Sequence, residues 1–129
     1  MKFSASKWLA YTFLVGLIPM LTRLLVWTTA AADSIDPVST PDLIALGLVF
    51  HVSVINELEH LPAALKDWKS IQSGTALLFI ALYGALYTLA IIGDNAPGVV
   101  DARTVLFMSM SLAFASALIG VTVAIRLSK

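Results

Sequence analysis

Four apolar runs, each about as long as a bilayer is thick, take up most of this chain and leave few folds open to it. They lie at about residues 8–30, 43–61, 73–92 and 103–125. A helix needs about 20 apolar residues to cross a hydrocarbon core of roughly 30 Å. Backbone N–H and C=O groups find no water there, so a spanning helix bonds them within itself. The chain has 129 residues, 59% hydrophobic and 12% charged, so almost nothing is left over for an extramembrane domain. The expectation is a single all-α domain: a polytopic membrane protein with four transmembrane helices in an up-down bundle, its surroundings the lipid bilayer.

The first run follows Lys2 and Lys7 and ends in the small-residue sequence TTAAAD, a layout that invites reading as a signal peptide. The run WLAYTFLVGLIPMLTRLLVW is longer than a signal core and contains Arg23, so it reads as a retained span. Gly16 and Pro19 mark a kink within it. In the acidic link that follows, Ser39 or Thr40 can cap the second helix, with Pro41 at its first turn and Asp42 near its positive end. Pro62 closes the second run, and PAALKDWKSIQSG reads as a polar link with room for a helical turn, with Trp68 and two lysines along the headgroups. Gly93 stops the third span, and Asp101 or Thr104 caps the fourth.

Basic residues set the direction of threading. With the amino terminus inside, Lys2, Lys7, Lys66, Lys69, Arg126 and Lys129 all lie on the cytoplasmic side, and Arg103 alone flanks a span outside. Both termini are expected in the cytoplasm of a bacterial-type inner membrane. The one-sided distribution speaks against insertion in both directions.

Depth at about 1.5 Å per residue sorts the interior polar groups into two layers. Arg23 lies about 10 Å below the outer end of span one and His51 about 12 Å below that of span two. Tyr87, Tyr83, Ser109 and Ser111 come towards the same level. Arg23 in hydrocarbon costs roughly 2.5–3.5 kcal/mol. Three placements relieve that cost: snorkelling to the outer headgroups or to Asp33 and Asp36, a hydrogen-bond network inside the bundle, or an ion path. His51 can bridge helices as a neutral imidazole. Haem ligation by two histidines requires a symmetric dimer, because His60 lies about 13 Å further down the same helix.

The second layer is the end of span two, HVSVINELEH, where Asn56, Glu57, Glu59 and His60 spread over about 160° of the helix. They form either an interfacial charge cluster paired with Lys66, Lys69 or Arg126, or the lining of a path that binds cations or relays protons. Glu57 and His60 have the Glu-x-x-His spacing of carboxylate-bridged metal bundles, but the chain has no further Glu beyond Glu59, so no metal site is expected.

Small residues mark the helix contacts. Span four carries Ser109, Ala113, Ser116, Ala117, Gly120 and Ala124; span three carries Gly74, Ala81, Gly84, Ala85 and Thr88. Without a hydrophobic drive between helices in lipid, close approach at such residues supplies much of the association energy. Either the two stripes hold spans three and four together, or one serves within the chain and the other joins neighbouring copies.

Composition and motifs exclude several functions. Charge is balanced and no aromatic-basic surface is evident, so no nucleic acid partner is expected. Zero cysteines exclude thiolate chemistry. No nucleophile elbow, phosphate loop or zinc-protease motif is present, and neither an enzyme nor a cofactor is expected. Small multidrug transporters are also short four-span chains with a membrane glutamate, but span one here has none and the charge bias runs one way. Two expectations remain: a homo-oligomeric ion channel or transporter using Glu57, Glu59, His60 and Asn56 near its cytoplasmic mouth, or a non-catalytic scaffold or accessory subunit docked on a larger membrane partner.

Overall fold

The computed structural model describes residues 5–31, 34–59 and 65–127. Four helices account for most of them: α1 (Ala5–Thr29), α2 (Thr40–Glu59), α3 (Lys66–Asn95) and α4 (Ala102–Leu127). Each is long and apolar enough to cross a membrane. Together they form the expected all-α four-helix bundle, a multi-pass membrane fold.

α2 is the shortest helix and the hub. It packs against all three others, α4 also touches α1 and α3, and α1 and α3 lie apart on opposite sides. Its buried residues are the adjacent pairs Leu43 and Ile44, Leu46 and Gly47, and Phe50 and His51, followed by Val54 and Leu58, with the groups about one helical turn apart. A helix buried against three neighbours needs such a wide stripe. Phe50 meets Phe13 of α1 edge to face, with ring centroids 4.7 Å apart. The lipid-facing surface is equally plain, with Leu25, Ile71, Phe107 and Phe114 each at least 60% exposed.

α1 runs through Pro19 as one helix. Trp8 and Trp27 lie near its two ends, about 29 Å apart along the axis, which matches the thickness of a hydrocarbon core. At the Trp8 end, Leu58, Val54 and Val123 form a core cluster packed by Trp8, Trp68 and Leu127.

The structure corrects the reading of the link before α3. Lys66 to Ser73, expected as polar link, is the first two turns of α3. Asp67 in the first turn favours the helix start electrostatically. The Arg126 guanidinium stacks 4.7 Å from the centre of the Trp68 ring, fastening this extension to α4.

Caps differ in how closely they follow expectation. Asp101 caps α4 as read: its Oδ1 accepts from Arg103 N at 3.1 Å and its Oδ2 from Thr104 Oγ1 at 3.0 Å. Those bonds, Thr104's side chain first, hold its carboxyl below the usual carboxylate range. At α2, Ser39 supplies its carbonyl to Leu43 N at 3.3 Å. Its buried hydroxyl caps nothing. Between α3 and α4, Val99 N bonds Ala96 O across Pro97 and Gly98. Gly98 has φ +90, the left-handed conformation a proline-initiated turn needs at its third residue.

Candidate functional site

The most enclosed polar group in the bundle joins three helices roughly halfway along each. Ser116 Oγ of α4 lies 2.6 Å from the Tyr83 hydroxyl of α3 and 2.8 Å from His51 Nε2 of α2. All three side chains are fully buried. Gly47 makes the arrangement possible, because a Cβ at that position would overlap the Tyr83 ring. Phe79 covers the imidazole, with ring centroids 4.8 Å apart and planes 30° apart.

Hydrogen counting constrains this triad. If Tyr83 donates to Ser116 and Ser116 donates to Nε2, the ring proton sits on Nδ1. If Nε2 donates to Ser116, Nδ1 carries a bare lone pair. Either way Nδ1 is left without a partner among the described residues. His51 therefore bridges helices, as one reading of the sequence had it. Because the ring is wholly enclosed, it cannot meet a second His51 across a dimer interface, which removes the two-histidine haem arrangement.

The rest of the expected middle layer disperses. Tyr87 is 49% exposed on the lipid side of α3, whereas Tyr83, one turn away, is 0% exposed. Ser109 is buried but donates to Val105 O in its own helix, and Ser111 donates to Phe107 O on the outside. Ser116, read as a small packing residue, is the hub. The signal for that role was its place on the same α4 face as Ala113 and Gly120, one helical turn away on either side. Counting depth from the ends of the apolar runs missed it, because the four helices do not start at one height.

Arg23 finds a partner that the sequence reading did not assign to it. Its Nε lies 2.5 Å from Asp42 Oδ2, tying α1 to the first turn of α2. Asp36 does not take that role, and Asp33 lies outside the described residues. Asp42 is well placed for it, since the positive end of α2 already favours a carboxylate.

At the other end of α2, Asn56 and Glu59 are exposed and Glu57 is half-buried, while Leu58 between them enters the core. His60 lies outside the described residues, so its spacing from Glu57 has no observed geometry. Two of the three basic groups expected to pair with these carboxylates make other contacts: Arg126 on Trp68, and Lys69 Nζ on the backbone carbonyl of Glu59 at 3.5 Å.

The two small-residue stripes have separate fates. On α4, Ser109, Ala113, Ser116, Gly120 and Ala124 are buried and Ala117 is half-buried. A Cβ on Gly120 would come within 2.8 Å of the Phe50 ring, so α2 and α4 approach closely there. On α3, Gly74, Ala81, Gly84, Ala85 and Thr88 are all exposed, and a Cβ on Gly74 or Gly84 would meet nothing within 4 Å.

Fold and site together define a small multi-pass membrane protein with a closed polar core tie. Comparison with protein-family models, curated proteins and solved structures finds no match to the chain.

Proposed function

We propose that this chain is a non-catalytic inner-membrane assembly protein, with both termini cytoplasmic, that associates laterally with further copies of itself through α3. The supporting observation is the contrast between the stripes: α4's small residues are consumed inside the bundle, whereas Gly74 and Gly84 of α3 face open space. Open small residues in lipid allow the backbone-to-backbone approach on which helix association depends. Topology rests on the basic residues gathered at the Trp8 and Trp68 end. Purification in mild detergent followed by multi-angle light scattering tests the reading. A defined oligomer is expected, and Ala81→Leu with Ala85→Leu shifts it to monomer while leaving the fold intact. A monomer in both cases overturns self-association, and a stoichiometric unlike chain replaces it with an accessory-subunit role.

Glu57 favours a second reading, in which the oligomer conducts a small cation. It is the one acidic residue at this end of α2 that is drawn towards the bundle, half-buried where Glu59 is exposed. Phe50, His51 and Tyr83 fill the middle of the single bundle, so such a path runs between protomers. Proteoliposome flux unchanged by Glu57→Gln together with Glu59→Gln removes this reading without touching assembly.

A further inference from the structure

At the end opposite Trp8, a crevice of about 370 Å³ opens between the links and the ends of α3 and α4. Its rim carries Arg23, Asp36, Ser39 and Asp94, and its inner wall includes Leu89 and Val105. Three features of the rim point to a ligand. Arg23 spends only Nε on Asp42, so the four N–H groups of its terminal nitrogens form no hydrogen bond among the described residues. The Ser39 hydroxyl is buried with no partner among the described residues. Asp94 lies in the last turn of α3, where the negative helix end disfavours a carboxylate and no basic residue compensates.

Unspent donors and two carboxylates around one crevice call for a zwitterion whose anion accepts hydrogen bonds and whose cation donates them. The crevice lies at the Trp27 end of the bundle, where a bilayer presents its headgroups. Its apolar wall suits the start of an acyl chain. We propose that the crevice binds the headgroup of an aminophospholipid of the phosphoethanolamine type, with the phosphate on Arg23 and Ser39 and the primary ammonium between Asp36 and Asp94. A primary ammonium offers three N–H donors to the carboxylates, whereas a trimethylated one offers none. This inference is independent of assembly through α3.

Native mass spectrometry of the full chain in mild detergent tests it, with equimolar dioleoyl phosphatidylethanolamine, its mono- and dimethylated forms, phosphatidylcholine and phosphatidylglycerol. Retention of phosphatidylethanolamine is expected to exceed that of phosphatidylcholine and phosphatidylglycerol by roughly tenfold, about 1.4 kcal/mol, falling stepwise with each methyl group. Asp36→Asn with Asp94→Asn brings the ethanolamine and choline lipids to parity. Both residues are exposed and form no ion pair among the described residues, so the thermal melt does not fall, and relief of the Asp94 charge at the negative helix end raises it slightly. Ser39→Ala weakens all the phospholipids together. Equal retention of ethanolamine and choline lipids by the unaltered chain, or preference for phosphatidylglycerol, overturns the proposal. Displacement of the lipid by an equal concentration of soluble phosphoethanolamine overturns the assignment to a lipid.

Discussion

Ser116→Ala is expected to cost more than Tyr83→Phe, although it removes a smaller group. Ser116 is the only atom shared by both bonds of the buried triad, at 2.6 Å to Tyr83 and 2.8 Å to His51. Removing its hydroxyl breaks both bonds and leaves a phenol and an imidazole nitrogen in a site with no exposed surface. Removing the Tyr83 hydroxyl breaks one bond and leaves Ser116 still joined to Nε2. Interhelical hydrogen bonds in membrane proteins average about 0.6 kcal/mol and reach about 1.7 kcal/mol. The two changes are therefore worth about 1–3 kcal/mol for Ser116→Ala and about 0.6 kcal/mol for Tyr83→Phe. The double variant should cost no more than Ser116→Ala alone, because the Tyr83 bond is already gone. Reversible unfolding in mixed micelles by titration with sodium dodecyl sulfate, followed by tryptophan fluorescence, measures all three. Equal costs for the two single variants, or a double variant that sums them, would falsify the shared-hub geometry.

Three further outcomes follow from named contacts. Gly47→Ala overlaps the Tyr83 ring and should destabilise by about 1–3 kcal/mol, whereas Gly84→Ala, open on α3, should be neutral or stabilising in the same titration. Asp42→Asn leaves the partly buried Arg23 without its counter-charge and should cost about 1–2 kcal/mol; adding Arg23→Met should recover most of that, and no recovery refutes the pairing. Asp101 has its folded pKa depressed by the bonds from Thr104 and Arg103, so its contribution is complete above the unfolded value of 3.8 and is lost as pH falls through the folded value. A melting series from pH 5 to pH 2 should show a smaller acid-induced loss for Asp101→Ala than for the unaltered chain, on a lower baseline.

The helices were legible because the bilayer permits little else, so long apolar runs fix their number and approximate placement. Facing was less legible. Residues one position apart differ by about 100° around a helix, and a depth estimate does not resolve that angle. Tyr83 and Tyr87 sit one turn apart on α3 and yet end respectively inside and outside, because α2 crosses over Tyr83 at Gly47 and not over Tyr87. Asp42 was read as a helix-end residue, which it is, but its pairing with Arg23 depends on how α1 and α2 meet, information that no local pattern carries. The start of α3 was misread for the opposite reason: polar residues looked like a loop, while Trp68 and Arg126 had a tertiary contact to make.

Polar side-chain contacts at three heights each tie a different set of helices. Arg23 and Asp42 join α1 to α2 near the Trp27 end, the Ser116 triad joins α2, α3 and α4 midway, and Trp68 with Arg126 joins α3 to α4 near the Trp8 end. In lipid, an apolar helix gains little from one register over another, since tails and side chains are equally apolar. Sliding or rotating α2 by one residue would carry Asp42 and His51 away from their partners together, leaving Arg23 without its counter-charge and His51 with unmet polar atoms in the core. Few polar residues thus specify one arrangement of α2 among its neighbours, which the small-residue contacts at Gly47 and Gly120 then close. With α2 fixed in this way, the outward face of α3 is held in a constant position, the condition a surface must meet to bind another helix repeatedly in the same way.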